Sequence, residues 1–332
     1  MARGRRFALI LAAGVMALGS LAAAGCGDDD DSGSDNSGGS ASGDLSGDIL
    51  IDGSSTVAPL SSAAAEAFAA DNSGVNITVG TSGTGGGFER FCAGETDISD
   101  ASRAIEPDEA QACESAGITY QELRVASDGI TVVTSANSDV GCTNLTLAQL
   151  KAVWAPNSKI KNWSEIPGAD CDDVPLTLAG PGSQAGTYDF FNEEVLGEDA
   201  AGETIEPRQD YTASEDDNVI VRAVQSAPGT MGYFGFTYYE ENADALTAFT
   251  LDDVAPDANT ITSGDYPLAR PLFIYVKDES LSSKPQVAAF VRYYVENAIS
   301  LAEQAQFVPA PQESIDEDLQ MLDNPSGGTT TG

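Results

Sequence analysis

From Asp48 onward the chain repeats one pattern: a short apolar run, a polar or glycine-rich turn, then apolar positions at helical spacing. DILIDGSST starts as a strand and turns at Gly53, and VAPLSSAAAEAFAADN follows as an Ala-rich helix. VNITVGTSG alternates as a second strand and runs into glycines, after which GGGFERFCAGE opens another helix. TDISDASRAI predicts a short buried strand and a polar turn, and EPDEAQACESAG a helix with acids at its start. ITYQELRVAS and GITVVTS read as strands. In LTLAQLKAVWA, Leu145, Leu147, Leu150, Val153 and Trp154 fall at helical spacing and read as a core stripe. VPLTLAGPGSQAGTYDFFNEEVL repeats the strand, turn and helix, with the helix beginning near Thr187. YTASEDDNVIVRAVQSAPG gives a polar cap and a helix, MGYFGFTYY an aromatic strand, LARPLFIYVK another strand, and KPQVAAFVRYYVENAISLAEQA one long amphipathic helix.

Strands alternating with helices predict an α/β class with mainly parallel sheets covered on both faces. The 332 residues suffice for two such lobes. The chain is expected to cross between them near residues 127–135 and to return near 270–276, with the last helix packing back on the first lobe. The expected division is lobe I over residues 48–128 with 272–322, lobe II over 129–271, and a flexible tail over 323–332.

Before this region, MARGRR is a cationic start, FALILAAGVMALGSLAAA an apolar run, and AAGC a small-residue stretch ending at Cys26. Residues 1–25 therefore read as a signal peptide and Cys26 as a lipidation site. Ala23 stands where such motifs usually carry Leu, and a membrane-spanning anchor is the alternative reading. Residues 26–47, rich in Asp, Ser and Gly, are expected to form a solvated tether rather than a calcium site. An exported lipoprotein at the outer face of the cytoplasmic membrane, or in the periplasm, is expected. The remaining cysteines, Cys92, Cys113, Cys142 and Cys171, allow three disulfide pairings. We expect Cys92 with Cys113 and Cys142 with Cys171, each closing a loop and contributing about 3 kcal/mol.

Composition narrows the chemistry. With 15 basic and 52 acidic side chains the net charge is −37, which argues against a nucleic-acid partner. There is no histidine, so Ser-His-Asp and Cys-His catalysis and His-ligated metals are excluded. A serine hydrolase using Ser55 or Ser183 would lack a base, since no G-x-S-x-G or S-x-x-K motif is present. We expect no enzyme activity, no cofactor and no metal.

Three turns share one layout: GSST at 53–56, GTSGTGGG at 80–87 and GSQAGT at 182–187. Each follows an apolar strand and opens a helix. Helix starts leave backbone N–H groups unpaired and carry partial positive charge, so a compact oxyanion fits there without lysine. Glycine admits the close approach and Ser or Thr adds a hydroxyl donor. Any one such turn is an ordinary cap; three at the carboxyl edge of parallel sheets point to a ligand. P-loop and Rossmann spacings are absent.

The segments GSSTVAP, TSGTGGGFERF, DISDASRAI, GPGSQAGTYDFF, YTASEDDNVIV, GYFGFTYYEEN and LARPLFIYVK, in that order, resemble the periplasmic phosphate-binding protein of the high-affinity phosphate ABC importer. The likeness covers about Asp48 to Gln306. It implies a type II periplasmic-binding fold: two α/β lobes, a two-strand hinge, and phosphate held between the lobes for delivery to a membrane permease. Carried onto this chain, it implies ligands at Ser55 and Thr56, at Thr84 and the N–H of Gly85, and at Gly186 and Thr187. Ala185 replaces the family's Ser, with Ser183 as the substitute hydroxyl, and Pro181 stands where many relatives have Arg. The positive partner is therefore assigned to Arg103, whose alternative is a salt bridge with Glu106. Ser102 occupies the place of the family's proton-accepting aspartate, so Asp100 or Asp97 is expected to take that role. The alternative ligand is another tetrahedral oxyanion such as sulfate. A monomer is expected.

Two further features read as structure. Trp154, Trp163 and the aromatic run 233–239 suit a core better than sugar stacking, and SEDDN at 214–218 suits a helix cap better than a metal loop.

Overall fold

The computed structural model describes residues 45–324. The signal, Cys26, most of the tether and the last tail residues lie outside them.

The first half-turns of the chain build lobe I. Strand β1 (Ser46–Gly53) pairs in parallel with β2 (Gly74–Val79) on one side and β3 (Ile98–Ala101) on the other. Helices α1 (Ala58–Asp71), α2 (Thr84–Cys92) and α3 (Pro107–Ser115) connect them and lead on to β4. Pairing in β1 follows its alternation: Ile49 and Ile51 are buried while Leu50 is exposed. The residues read as two strands, ITYQELRVAS and GITVVTS, form one 16-residue strand, β4 (Tyr120–Ser135), because Ser127, Asp128 and Gly129 stay extended between them.

Strand β4 carries the chain into lobe II. There follow β5 (Asn144–Leu145), α4 (Leu147–Trp154), β6 (Thr177–Pro181), α5 (Gly186–Phe191) with a π-helical continuation over Asn192–Leu196, β7 (Thr212–Ser214) and α6 (Asp217–Ser226). Next come β8 (Thr230–Gly235), α7 (Phe236–Glu241), β9 (Leu246–Ala248), β10 (Thr250–Leu251) and α8 (Ala258–Ser263). MGYFGFTYY thus divides: its first half is β8, between β4 and β6, and from Phe236 the chain turns into α7. Strand β6 pairs in parallel with β7 and β8.

Strand β11 (Ala269–Lys277) returns to lobe I antiparallel to β4 and β3. Helices α9 (Asp278–Ser283), α10 (Pro285–Glu296) and α11 (Ala298–Gln304), strand β12 (Val308–Pro309) and α12 (Gln312–Asp323) complete that lobe. The long helix expected from KPQVAAFVRYYVENAISLAEQA is broken at Asn297. Its side chain donates to the Tyr293 carbonyl at 2.8 Å and leaves the helical path, a local bond that competes with the backbone ladder.

Each lobe has its own core. In lobe I, Phe68, Phe290, Val291 and Tyr294 pack over Ile49, Ile51, Ile98 and Ile274. In lobe II, Trp154, Trp163, Phe190, Phe191 and Tyr233 are buried together, with the Phe191 and Tyr233 rings stacked at 3.8 Å. The tryptophans are core residues. The two disulfides join Cys92 to Cys113 and Cys142 to Cys171, the first tying α2 to α3. Among the described residues, β4 and β11 are the strands that run between the lobes. Strand β4 pairs with β11 up to Gly129 and with β8 from Ile130, so the crossing falls at Asp128 and its register partner Arg270.

Candidate binding cleft

Three of the expected segments meet through their backbones in lobe I. Gly53 has φ of +143°, and a Cβ there would lie 2.1 Å from the Asp100 carbonyl; a Cβ on Gly87 would lie 2.5 Å from the Gly53 Cα. Only glycine permits the GSST turn, the start of α2 and the end of β3 to nest this closely. Ser54 N–H donates to the Asp100 carbonyl and Gly83 N–H to the Gly53 carbonyl, both at 2.9 Å. The Asp52 carboxylate accepts from the N–H groups of Gly53 and Ser82 and pairs with Arg90. Burial raises its pKa, but those N–H bonds and the Arg90 charge outweigh it and hold the group below its ordinary value. That carboxylate shapes the turns from beneath.

Above this base stand the hydroxyl and N–H groups of the turns. Ser54 Oγ accepts from Thr56 N–H at 3.2 Å and its carbonyl from Ala58 N–H at 3.0 Å, shaping the turn that leads into α1. Thr84, the first residue of α2, accepts at Oγ1 from Ser102 N–H at 3.2 Å, and its hydroxyl lies 3.0 Å from that of Ser102. The N–H groups of Thr84, Gly85 and Gly86 open the helix and have no carbonyl four residues back to serve. Tyr275, from the return strand, fixes the turn after β3 by accepting from Ile105 N–H at 2.9 Å and donating to Glu122 at 2.6 Å.

Lobe II brings its own turn against the first. A Cβ on Gly186 would lie 2.8 Å from Thr56 Oγ1, so the start of α5 rests on the GSST turn across the cleft. Burial raises the pKa of the Asp189 carboxyl, against the lowering effects of Arg270 and then of Ser55 on the GSST turn. Thr187 sits half-buried beside Gly186, while Ser183 is exposed on the turn before them. Behind that turn, Glu215 accepts from Gln184 N–H at 3.4 Å, and Asp216 caps α6 by accepting from Asn218 N–H at 2.9 Å. SEDDN therefore shapes turns, and among the described residues no group of acids and cysteines is arranged to hold a metal.

The expected acceptor needs correction. Asp100 does not face the cleft: strand alternation turns its side chain with Ile98 into the lobe I core, where Oδ1 accepts from Ser61 at 2.8 Å and Oδ2 has no partner. Burial pushes its pKa up to about 8, so it is a neutral acid at physiological pH. Asp97 is likewise occupied, by Ser280 at 2.6 Å, Lys284 at 2.7 Å and Leu50 N–H at 3.1 Å. Arg103 is engaged by acids of its own lobe. Both its terminal nitrogens donate to Glu109 at 2.8 Å, and its Nε lies 3.3 Å from Glu106. Even so, Nη2 would stand 3.9 Å from a Cβ on Gly85, beside the start of α2.

The sequence reading missed Arg270. It is buried, donates from Nη2 to Thr56 Oγ1 at 2.7 Å and from Nε to Asp128 at 3.3 Å, and lies 3.7 Å from Glu193. Its guanidinium lies 3.7 Å over the Phe190 ring. The available signal was a charge inside the apolar run LARPLFIYVK. Lobe II meets it with acids. Burial raises the pKa of Asp189 and Glu193 against the lowering effect of Arg270, and burial, then Asp216, Asp128 and Glu215, push Asp217 up to about 6.

Similarity to known proteins agrees with this arrangement. Residues 38–298 match the PBP superfamily domain. Protein SphX of Synechococcus elongatus is 41% identical over 289 residues, covering 85% of this chain and 83% of its own. The phosphate-binding protein PstS of Staphylococcus epidermidis is 38% identical over 295 residues, covering 86% of each. Among solved structures, a possible phosphate binding protein from Planctomyces limnophilus superposes with a TM-score of 0.79 at 40% identity, covering 84% of this chain and 99% of that one. A putative phosphate transporter substrate-binding protein from Clostridium perfringens, solved with bound phosphate, gives 0.52 at 26% identity over 80% of this chain and all of its own. With matches of this extent over both lobes, the chain belongs to the PBP superfamily and, within it, to the family of the SphX and PstS proteins.

Proposed function

We propose that this protein binds inorganic phosphate between its lobes outside the cytoplasm and hands it to an ABC-type importer. The observation that carries the reading is the meeting of the GSST, GTSGTGGG and GSQAGT turns at one cleft, with Thr56 and Gly186 in contact across it. Ser55, Thr56, Thr84, Gly85, Ser102, Gly186 and Thr187 are the donor set, with Ser183 at the rim and Arg103 beside the start of α2. Peptide N–H groups and hydroxyls recognise the oxygens, and lobe closure removes water that would compete for them. No step of the reading requires bond making or breaking in the ligand.

Phosphate differs from sulfate in carrying a proton near neutral pH, and an acceptor in the cleft turns that proton into selectivity. We assign that acceptor role to Asp189, whose carboxyl is influenced by Arg270 and by Ser55 of the GSST turn. Attachment through a lipid on Cys26, a tether letting the domain reach the permease, and a monomeric state complete the proposal. No helix among the described residues is long and apolar enough to cross a membrane.

Isothermal titration with phosphate and sulfate in parallel tests it. The expected result is saturable phosphate binding at one site per chain and sulfate binding weaker by at least about 10-fold, with Asp189→Asn narrowing that gap. Sulfate binding as tight as phosphate would transfer the protein to the broader oxyanion reading. Absence of binding to both would sink the proposal.

A further inference from the structure

The buried guanidinium of Arg270 stands where three parts of the molecule meet. Its backbone belongs to the hinge, opposite Asp128 in register, and these two residues form a cross-strand ion pair at the point where β4 and β11 pass between the lobes. Its Nη2 reaches the lobe I turn at Thr56, while Phe190 and Glu193 approach it from lobe II. We propose that Arg270 is a positioning residue for the bound anion: from the hinge it orients the Thr56 hydroxyl toward the cleft and joins the two lobes, so that capture and closure depend on one side chain.

The argument for orientation is one of hydrogen-bond capacity. A threonine hydroxyl has a single O–H to donate and two lone pairs to accept with. Guanidinium nitrogen can only donate, so the Arg270 contact at 2.7 Å occupies an acceptor site on Thr56 Oγ1 and leaves its O–H free for an anion. Without Arg270 that hydroxyl is free to rotate or to donate elsewhere. The argument for joining is geometric. A side chain fixed to the hinge by Asp128 keeps its contacts to Thr56 and Phe190 together only while the two lobes are apposed, and opening must break one set or the other.

A purely structural role for the pair makes a different prediction. Burial opposes ionisation of both partners, raising Asp128 and lowering Arg270 despite their mutual attraction. Such a pair is expensive to break singly and often replaceable as a unit by apolar side chains. If the pair only fills the hinge, replacing both residues restores everything.

The inference rests on the phosphate reading above, and the test separates the two. Phosphate affinity by calorimetry and thermal unfolding would be measured on the purified protein and on Arg270→Met, Thr56→Val, Arg270→Met with Thr56→Val, and Arg270→Met with Asp128→Leu. Arg270→Lys, which keeps the charge but loses the fork, serves if the methionine variant does not fold; it too is expected to weaken phosphate. Arg270→Met should weaken phosphate at least about 10-fold, and Thr56→Val should cost a similar factor in the parent but under about 3-fold once Arg270 is gone. The Arg270→Met with Asp128→Leu protein should regain stability without regaining affinity. Small-angle scattering should show it shifted toward an open form in the absence of ligand. Parent-like affinity in that double variant, or an equal cost of Thr56→Val in both backgrounds, would overturn this inference alone. A parent protein that ignores phosphate would overturn the reading beneath it as well.

Discussion

At the scale of single residues, the distinction between a cleft donor and a core polar group comes down to which way a strand turns its side chains. Asp100 and Ser102 lie two apart, yet the first is inside the strand and the second just past its end, so only the second joins Thr84 at the turn. Glycines, serines and threonines at strand-to-helix junctions are legible in sequence because their reason for being there is local. Arg270 and Asp189 were not, since each depends on which distant segment packs opposite. Asp100 leads to a direct prediction about pH. Its carboxyl titrates near 8 when folded against 3.8 as an ordinary group, so the native state holds one more proton between those values. Stability therefore falls as pH rises across that window, by at most about 1.4 kcal/mol per pH unit for one proton. Asp217 and Asp318, pushed to about 6 and about 7, share the sign. Urea unfolding of Asp100→Asn over roughly pH 4 to 8 should show a shallower decline than the parent. Parallel declines would mean that Asp100 is not the neutral group described.

At the scale of elements, the strand, turn and helix rhythm was readable almost throughout, and the departures have local causes. Asn297 splits a helix that apolar spacing alone would continue, and the extended run through Ser127, Asp128 and Gly129 joins two expected strands into one. Which helix carries a covalent brace also matters. Cys92 ends α2, the helix whose start presents Thr84, whereas Cys142 and Cys171 lie in lobe II away from the residues named at the cleft. Replacing either pair by serine should cost about 3 kcal/mol in chemical denaturation, by release of the unfolded chain. Their effects on binding should differ: loss of Cys92–Cys113 loosens the base of α2 and weakens phosphate, while loss of Cys142–Cys171 leaves affinity within about 2-fold of the parent. Equal effects of both on affinity would argue against a role for α2 in the site.

At the scale of the whole molecule, a net charge of −37 and an anionic ligand look opposed. Screening resolves the conflict: at physiological salt an exposed carboxylate acts over about 8 Å, whereas donors inside a closed cleft act at close range and lower dielectric. Binding is then governed by the few groups that meet between the lobes, and the surface charge bears on approach and solubility. The most direct test of that claim is a crystal structure with arsenate, the heavier analogue of phosphate, located by the anomalous signal of its arsenic. The account predicts one peak between the lobes, its oxygens within hydrogen-bonding distance of Thr56, Thr84 and Thr187. A peak bound elsewhere on the surface, with the cleft closed and unoccupied, would contradict it.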